Sequence, residues 1–338
     1  MSFDEARSMR RARRAWGSAP TTVVLALVAM LAGSSTASAQ DGAYPNRAIR
    51  IISGFAPGGG ADTVARLFAE RLTALLGQPV VVENRAGAAG GIAGRQVASA
   101  APDGYTVLLT SNGMMINQIL NPGGGLDIER DLAPVASVAP QAVIVVASPE
   151  LPVNSLPDLI RLAKERSLNY GTPGAGSVSQ LVVEYVFTTQ SGARMTHIPY
   201  SGAAPTLTAA MANQVEVAST TMPPAVALVK SGKLKGIAIT TPTRSVALPQ
   251  VPTVAEQMPQ GMSVSVWSGF FVPAKTPPAI IARLEEAVLK IADMPDTKEK
   301  LAQFGYEPTS IAAEPFRREI ANEFRMWTEV VAKTNLKP

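Results

Sequence analysis

Ile49-Arg50-Ile51-Ile52-Ser53-Gly54-Phe55-Ala56-Pro57-Gly58-Gly59-Gly60-Ala61-Asp62 reads as a β-branched strand, a Pro/Gly-rich turn and the start of a helix running to about Leu76. Glycines let the backbone pass close to a ligand, and a helix start offers N–H groups without intrahelical partners together with a partial positive charge. Such a corner suits a carboxylate or a phosphate. In an open α/β sheet, ligands sit beyond the carboxyl ends of the strands, where this turn falls.

Outward from the corner, Val64, Leu67, Phe68, Leu72 and Leu75 form an apolar stripe on the helix. Asp62 is expected to cap or complete the first helical turn. Arg66 and Glu70 are spaced to pair on the solvent face, and Gly77 stops the helix as a C′ glycine does. Val80–Asn84 is a second strand, Gly87–Gly94 a glycine-rich link into a helix, and Tyr105–Thr110 a third strand ending at Ser111. Strands alternating with helices at this spacing predict a parallel sheet with right-handed crossovers. Gly87–Gly94 is read as a tight turn.

A long extended run, Leu132–Ala147, comes next. A second series follows: a helix capped by Ser155 with Pro157 in its first turn, then Asn169-Tyr170-Gly171-Thr172-Pro173-Gly174-Ala175-Gly176-Ser177, a second strand–glycine turn–helix unit. Its helix is expected over 177–189, with further strands at 195–200, 215–220 and 237–241. Val264–Val272 is extended again, and the rest is helical apart from a short strand near Tyr306. The last helices need a sheet to cover, and the first sheet is the natural one. That predicts a discontinuous first domain, 44–140 plus 265–338, and an inserted second domain, 141–264. Two extended crossings, near 139–143 and 262–267, would act as hinges beside a cleft. The chain of 338 residues is long enough for two cores.

The first forty residues stand apart. Arg7, Arg10, Arg11, Arg13 and Arg14 precede an apolar run at Thr21–Leu31 and the small-x-small site Ala37-Ser38-Ala39. This is a secretory signal peptide cleaved near Ala39, with an apolar run short of the ~20 residues a membrane span needs. Arg13-Arg14 is a poor match to twin-arginine export. The leader holds five Arg against Asp4 and Glu5, so the net charge falls from +4 to +1 on its removal. No nucleic-acid face remains. The chain has no Cys, which excludes disulfides, thiol chemistry and a lipid-anchored Cys.

Catalytic and cofactor patterns are sparse. His197 is the only histidine and no Gly-x-Ser-x-Gly elbow frames a serine for it, so it reads as structural. Asp62, Glu83, Asp103 and Asp127 are scattered in turns and caps. The glycine spacing does not fit a dinucleotide fingerprint, and no Lys-Ser/Thr follows a glycine run as a phosphate loop requires. No cofactor and no metal are implied, and the chain is not read as an enzyme. An exported small-molecule hydrolase on two α/β lobes, and a solute sensor for a two-component system, are the alternative classes.

Seven ordered segments carry a family resemblance: Phe55-Ala-Pro-Gly-Gly-Gly-Ala-Asp62, Gly77-Gln-Pro-Val-Val-Val-Glu-Asn-Arg85, Pro102-Asp-Gly-Tyr105, His197-Ile-Pro-Tyr200, Gly232-Lys-Leu234, Leu248-Pro-Gln-Val-Pro-Thr253 and Trp267-Ser-Gly269. Together they resemble the tripartite tricarboxylate transporter substrate-binding receptors, the Bug family, across essentially the whole mature chain. The resemblance implies a periplasmic α/β receptor of two domains, a type II-like Venus flytrap with two hinge crossovers. Such a receptor passes a small carboxylate-type solute to membrane permease subunits and acts as a monomer. Carried over by position, the solute contacts are Phe55, Ala56, Gly58, Gly59, Asp62 and Ser111 on one side and Thr172, Gly176, Ser177 and Thr220 on the other. Members that bind amino-acid-like solutes tend to have an Asp near the position of Thr220. Thr220 cannot offset an ammonium, so the implied solute lacks one. Asn84 and Arg85 are read as scaffold.

Overall fold

The computed structural model describes residues 44–58, 60–258 and 261–334. The leader and its cleavage site lie outside the described residues. Strand β1 (Ile49–Ser53) leads through the glycine turn into α1 (Gly60–Leu76), and β2 (Val80–Asn84) follows. A 3-10 turn (Ala88–Gly90) opens α2 (Gly91–Ala98), and then come β3 (Thr106–Thr110), α3 (Gly113–Leu120) and α4 (Ile128–Asp131). Strand β4 spans Leu132–Ala147, and fifteen of its sixteen residues are buried. That is why the segment reads as one apolar run: both faces are covered.

The second series is α5 (Leu156–Glu165), β5 (Asn169–Thr172), α6 (Val178–Val183), β6 (Thr196–Pro199), α7 (Ala203–Met211), β7 (Val217–Thr221), α8 (Val226–Lys230), β8 (Lys235–Ile239) and α9 (Val254–Gln257). The expected helix over 177–189 is α6 continued by a π-helix, Glu184–Ser191, which stops at Gly192 in a left-handed conformation. The chain returns through β9 (Ser265–Pro273), α10 (Pro278–Asp293), α11 (Pro295–Gln303), β10 (Ser310–Ala312) and α12 (Ala313–Thr334).

Strand β4 serves two sheets. Residues up to Ala142 pair antiparallel with β9, and from Val143 onward with β7 and β8. On the first side the order is β2-β1-β3-β9-β4, on the second β4-β7-β5-β6. The expected parallel pairing holds for β1–β3 and for β5–β7. Strands β9 and β4, legible in the sequence only as extended segments, run antiparallel to their neighbours. The reason is connectivity: β9 is reached through the second series rather than a βαβ crossover, so no right-handed crossover dictates its direction.

Within β4 the register slips between Val138 and Gln141. Ala139 there takes a φ of +48°, which a non-glycine residue adopts only when its surroundings over-determine it. They do: Ala139 N–H donates to Thr309 O (3.2 Å) and Pro140 O accepts from Glu307 N–H (2.8 Å). One buried apolar cluster runs under both sheets, from Ile52 and Leu108 through Trp267, Phe316 and Trp327 to Val182 and Phe187.

Candidate functional site

The first corner begins where Ser53 leaves the sheet. Gly54 N–H donates to Leu109 O (3.0 Å), and a Cβ on Gly54 would stand 2.8 Å from Gly90 Cα. Gly90 has φ +97° and leaves no room of its own, since its Cβ would stand 2.4 Å from Thr110 Oγ1. The Gly87–Gly94 link is therefore more than a turn. It is the backing against which the glycine corner lies.

Phe55 is partly exposed, Ala56 and Gly58 are exposed, and Gly59 lies outside the described residues. Asp62 is 4% exposed and fastens this loop. Its Oδ2 accepts from Gly58 N–H (3.0 Å) and Arg66 Nε–H (2.9 Å), and its Oδ1 from Asn84 Nδ2 (2.8 Å). Asn84 Nδ2 also donates to Phe55 O (3.0 Å), so Asn84 is scaffold as expected. Burial by itself pushes the Asp62 carboxyl up. The bonds from Arg66, Gly58 and Asn84 outweigh it and hold the group below its usual 3.8. Arg66 does not pair with Glu70 as expected. It turns to Asp62 and to Asn84 Oδ1 (3.2 Å), because a buried carboxylate is a stronger acceptor than an exposed one a turn away.

Over the start of α1 lie two buried side chains, Tyr306 and Gln141; a Cβ on Gly60 would stand 2.6 Å from Tyr306 Oη. Ser111 follows β3, beside β1 in the sheet, and its Oγ accepts from Gly113 N–H (3.2 Å). Ser111 and the first loop thus share one sheet end.

The second corner repeats the construction. Thr172 ends β5, is fully buried, and donates through Oγ1 to Gly174 O (3.0 Å). Gly174 and Gly176 have φ of +147° and +71°, which glycine permits. Gly176 N–H donates to Gln180 Oε1 (2.7 Å), and Ser177 caps α6 by accepting from Gln180 N–H (3.3 Å). Each loop is therefore fastened by a side chain four residues on from a glycine amide: Gly58 by Asp62, Gly176 by Gln180. The shared spacing is visible in the sequence, yet it singled out only Asp62. One fastener is anionic and offset by Arg66; the other is neutral.

Thr220 is buried on β7, two residues past the Gly171–Ala218 pair that joins β7 to β5, so it stands at the same sheet end as the second corner. Its Oγ1 has no hydrogen-bond partner among the described residues. A Cβ on Gly176 would stand 3.0 Å from Leu120 Cδ1, at the end of the helix that follows Ser111. Helix α3 thus runs from beside Ser111 to Leu120, next to Gly176 of the second corner.

Elsewhere, a surface cavity of about 530 Å³ lined by Pro157, Ile160, Arg161, Lys164, Glu165, Ser191 and Met258 shares no residue with either corner. Among the described residues there is no group of three or more His, Asp or Glu placed to hold a metal ion, and no helix long and apolar enough to cross a membrane.

Known proteins share both sequence and fold with this chain. BugT of Bordetella pertussis is 34% identical over 87% of this chain and 91% of its own length. The solved structure of R. palustris Rpa4515 with adipate is 31% identical with a TM-score of 0.81, covering 87% of this chain and 99% of that one. MatC of Rhodopseudomonas palustris with bound malate is 30% identical with a TM-score of 0.74, covering 85% and 100%. The fold is that of the periplasmic binding proteins of this group. Residues 64–336 match the tripartite tricarboxylate transporter family receptors, and the chain belongs to that family.

Proposed function

We propose that this chain is an exported, periplasmic solute receptor that captures a small organic carboxylate between its two glycine corners and delivers it to the permease subunits of a tripartite tricarboxylate-type transporter. The observation that carries this is the duplicated corner. Two glycine loops, each fastened from four residues on, stand at carboxyl ends of parallel strands in two sheets that share β4. Adipate and malate in two relatives support the ligand class. The lobes are 44–140 plus 265–338 and 141–264, and they close by bending where β4 changes partners, at Ala142–Val143, and in the crossing at 262–267. Backbone amides and neutral side chains neutralise the carboxylate without a dedicated arginine. The uncharged Thr220 fits a solute without an ammonium group. The receptor acts as a monomer, and it turns over no substrate.

A thermal-shift panel of mono-, di- and tricarboxylates, amides and aromatic acids on residues 40–338 tests this. Ligand at about 1,000 times its Kd stabilises the native state by roughly 4 kcal/mol, a rise of several degrees in Tm. A panel in which amides or amines shift Tm and no carboxylate does would sink the ligand class.

A further inference from the structure

We propose that His197 is a positioning residue of the second corner: its Nε2–H holds the Thr172 hydroxyl, and through it the Gly174 carbonyl, in the conformation that receives the solute. The inference rests on the receptor reading and adds a residue that makes no solute contact itself.

One proton arrangement satisfies both contacts of the Thr172 hydroxyl at once. Thr172 Oγ1 lies 3.0 Å from Gly174 O and 2.7 Å from His197 Nε2. A carbonyl only accepts, so in this arrangement the single hydroxyl proton points to Gly174 O. The short contact to His197 is then attractive only if Nε2 carries a proton and donates. The result is a chain, Nε2–H to Oγ1–H to O=C, in which each bond polarises the next. The ring is held for this task. It packs on Tyr170 with centroids 4.9 Å apart, and the Tyr170 hydroxyl is itself bonded to Glu184, which also accepts from Thr188 Oγ1 (2.9 Å). Burial lowers the His197 pKa against a smaller opposing pull from Glu184, so the ring is neutral near pH 7. In the neutral Nε2–H form and in the protonated form alike, Nε2 donates. The direction of the relay is therefore the same in both charge states of His197.

Because His197 is the only histidine in the chain, ¹⁵N-histidine labelling of residues 40–338 yields one imidazole, whose ring nitrogens report the tautomer directly. Three variants complete the test. His197→Phe keeps a ring against Tyr170 and deletes the donor, His197→Gln restores an N–H near the Nε2 position, and Thr172→Val removes the relay. With adipate and malate as probes, His197→Phe weakens binding about tenfold and accelerates amide exchange at Gly174 and Gly176, as loss of a buried hydrogen bond does. His197→Gln stays within about threefold of the parent, and His197→Phe/Thr172→Val is no worse than either single variant, as for members of one relay. Parental binding stays flat from pH 7 to 8, where both acids are dianions and the ring is neutral. An Nδ1–H tautomer, unchanged exchange in His197→Phe, or additive losses would overturn the proposal. If the parent binds neither acid, the receptor reading fails for these acids, while the tautomer and exchange results still decide the role of His197.

Discussion

Glu323 offers a test of the fold that is independent of any ligand. It lies on α12, and its Oε2 accepts from Asn112 Nδ2 (3.3 Å) and Trp267 Nε1 (3.2 Å). Asn112 Nδ2 in turn donates to Ser265 O (2.8 Å), so the carboxyl ties the C-terminal helix to the start of α3 and to β9. Burial, then the neighbouring Glu319, push its pKa from 4.5 up to about 7. Glu319 is raised by burial as well. The facing elements bring no compensating charge: Gly113–Leu120 and Val178–Val183 have no ionisable residue, and Glu184 on the π-helix is engaged with Tyr170 and Thr188. The sign follows from linkage. Between pH 4.5 and about 7 the unfolded chain releases this proton while the native chain keeps it, so stability falls as pH rises through that window. The whole gap is worth roughly 3 kcal/mol, and the residual exposure of Glu323 brings the expectation to about 2 kcal/mol. Glu323→Gln keeps an acceptor for both donors and cannot ionise. Urea unfolding followed by tryptophan fluorescence, which reports on Trp267 and Trp327, should show the variant more stable by about 2 kcal/mol at pH 8 and level with the parent at pH 4.5. A parent whose stability does not change over this window, or a variant weakened equally at both pH values, would show that Glu323 is not held protonated by burial.

Gly90→Ala places a Cβ against Thr110 at a φ of +97°, and should cost about 2–4 kcal/mol in urea unfolding while loosening the first corner. Asp62→Ala leaves Gly58, Arg66 and Asn84 without their shared acceptor; a loss of about 2 kcal/mol and faster amide exchange across the loop are expected. The Asp62 contribution is present above the unfolded pKa and disappears as pH falls through the lower native value, so the stabilities of the parent and of Asp62→Ala should converge as pH falls well below 3.8. Gln180→Glu puts a carboxylate at the neutral fastener of the second corner. It should weaken dicarboxylate binding at least tenfold at low salt while sparing the matching diamide, as measured by calorimetric titration.

Much of the frame could be read directly from the residues. β-branched runs bounded by glycine and proline located β1, β2 and β4, because such segments have few alternatives to a strand. Ser155 and Pro157 marked α5 through the cap and the first turn that those residues prefer. The short helix α3 was missed for the complementary reason: Asn112, at its cap position, makes no side-chain cap bond, and Gly113–Ile116 is an unpatterned apolar run. What the sequence withheld was mostly pairing across distance. The direction of β9, the swing of Arg66 from Glu70 to Asp62, and the contact of Gly90 behind Gly54 depend on tertiary neighbours that no local window contains. The two glycine loops of the proposed site were legible, and the side chains that fasten them were not. Gln180 and His197 act through other residues, so neither carries a motif of its own.

In the proposed receptor the two corners form one carboxylate clamp. Isothermal titration of residues 40–338 with adipate and malate, each beside its diamide, tests it most directly. A clamp binds a dicarboxylate 1:1 in the micromolar range or tighter, loses at least a hundredfold for the diamide, and loses affinity for the diacid by the same order when the second corner is disabled by Thr172→Val together with Gln180→Glu. Equal affinity for diacid and diamide, or binding indifferent to the second corner, would contradict it.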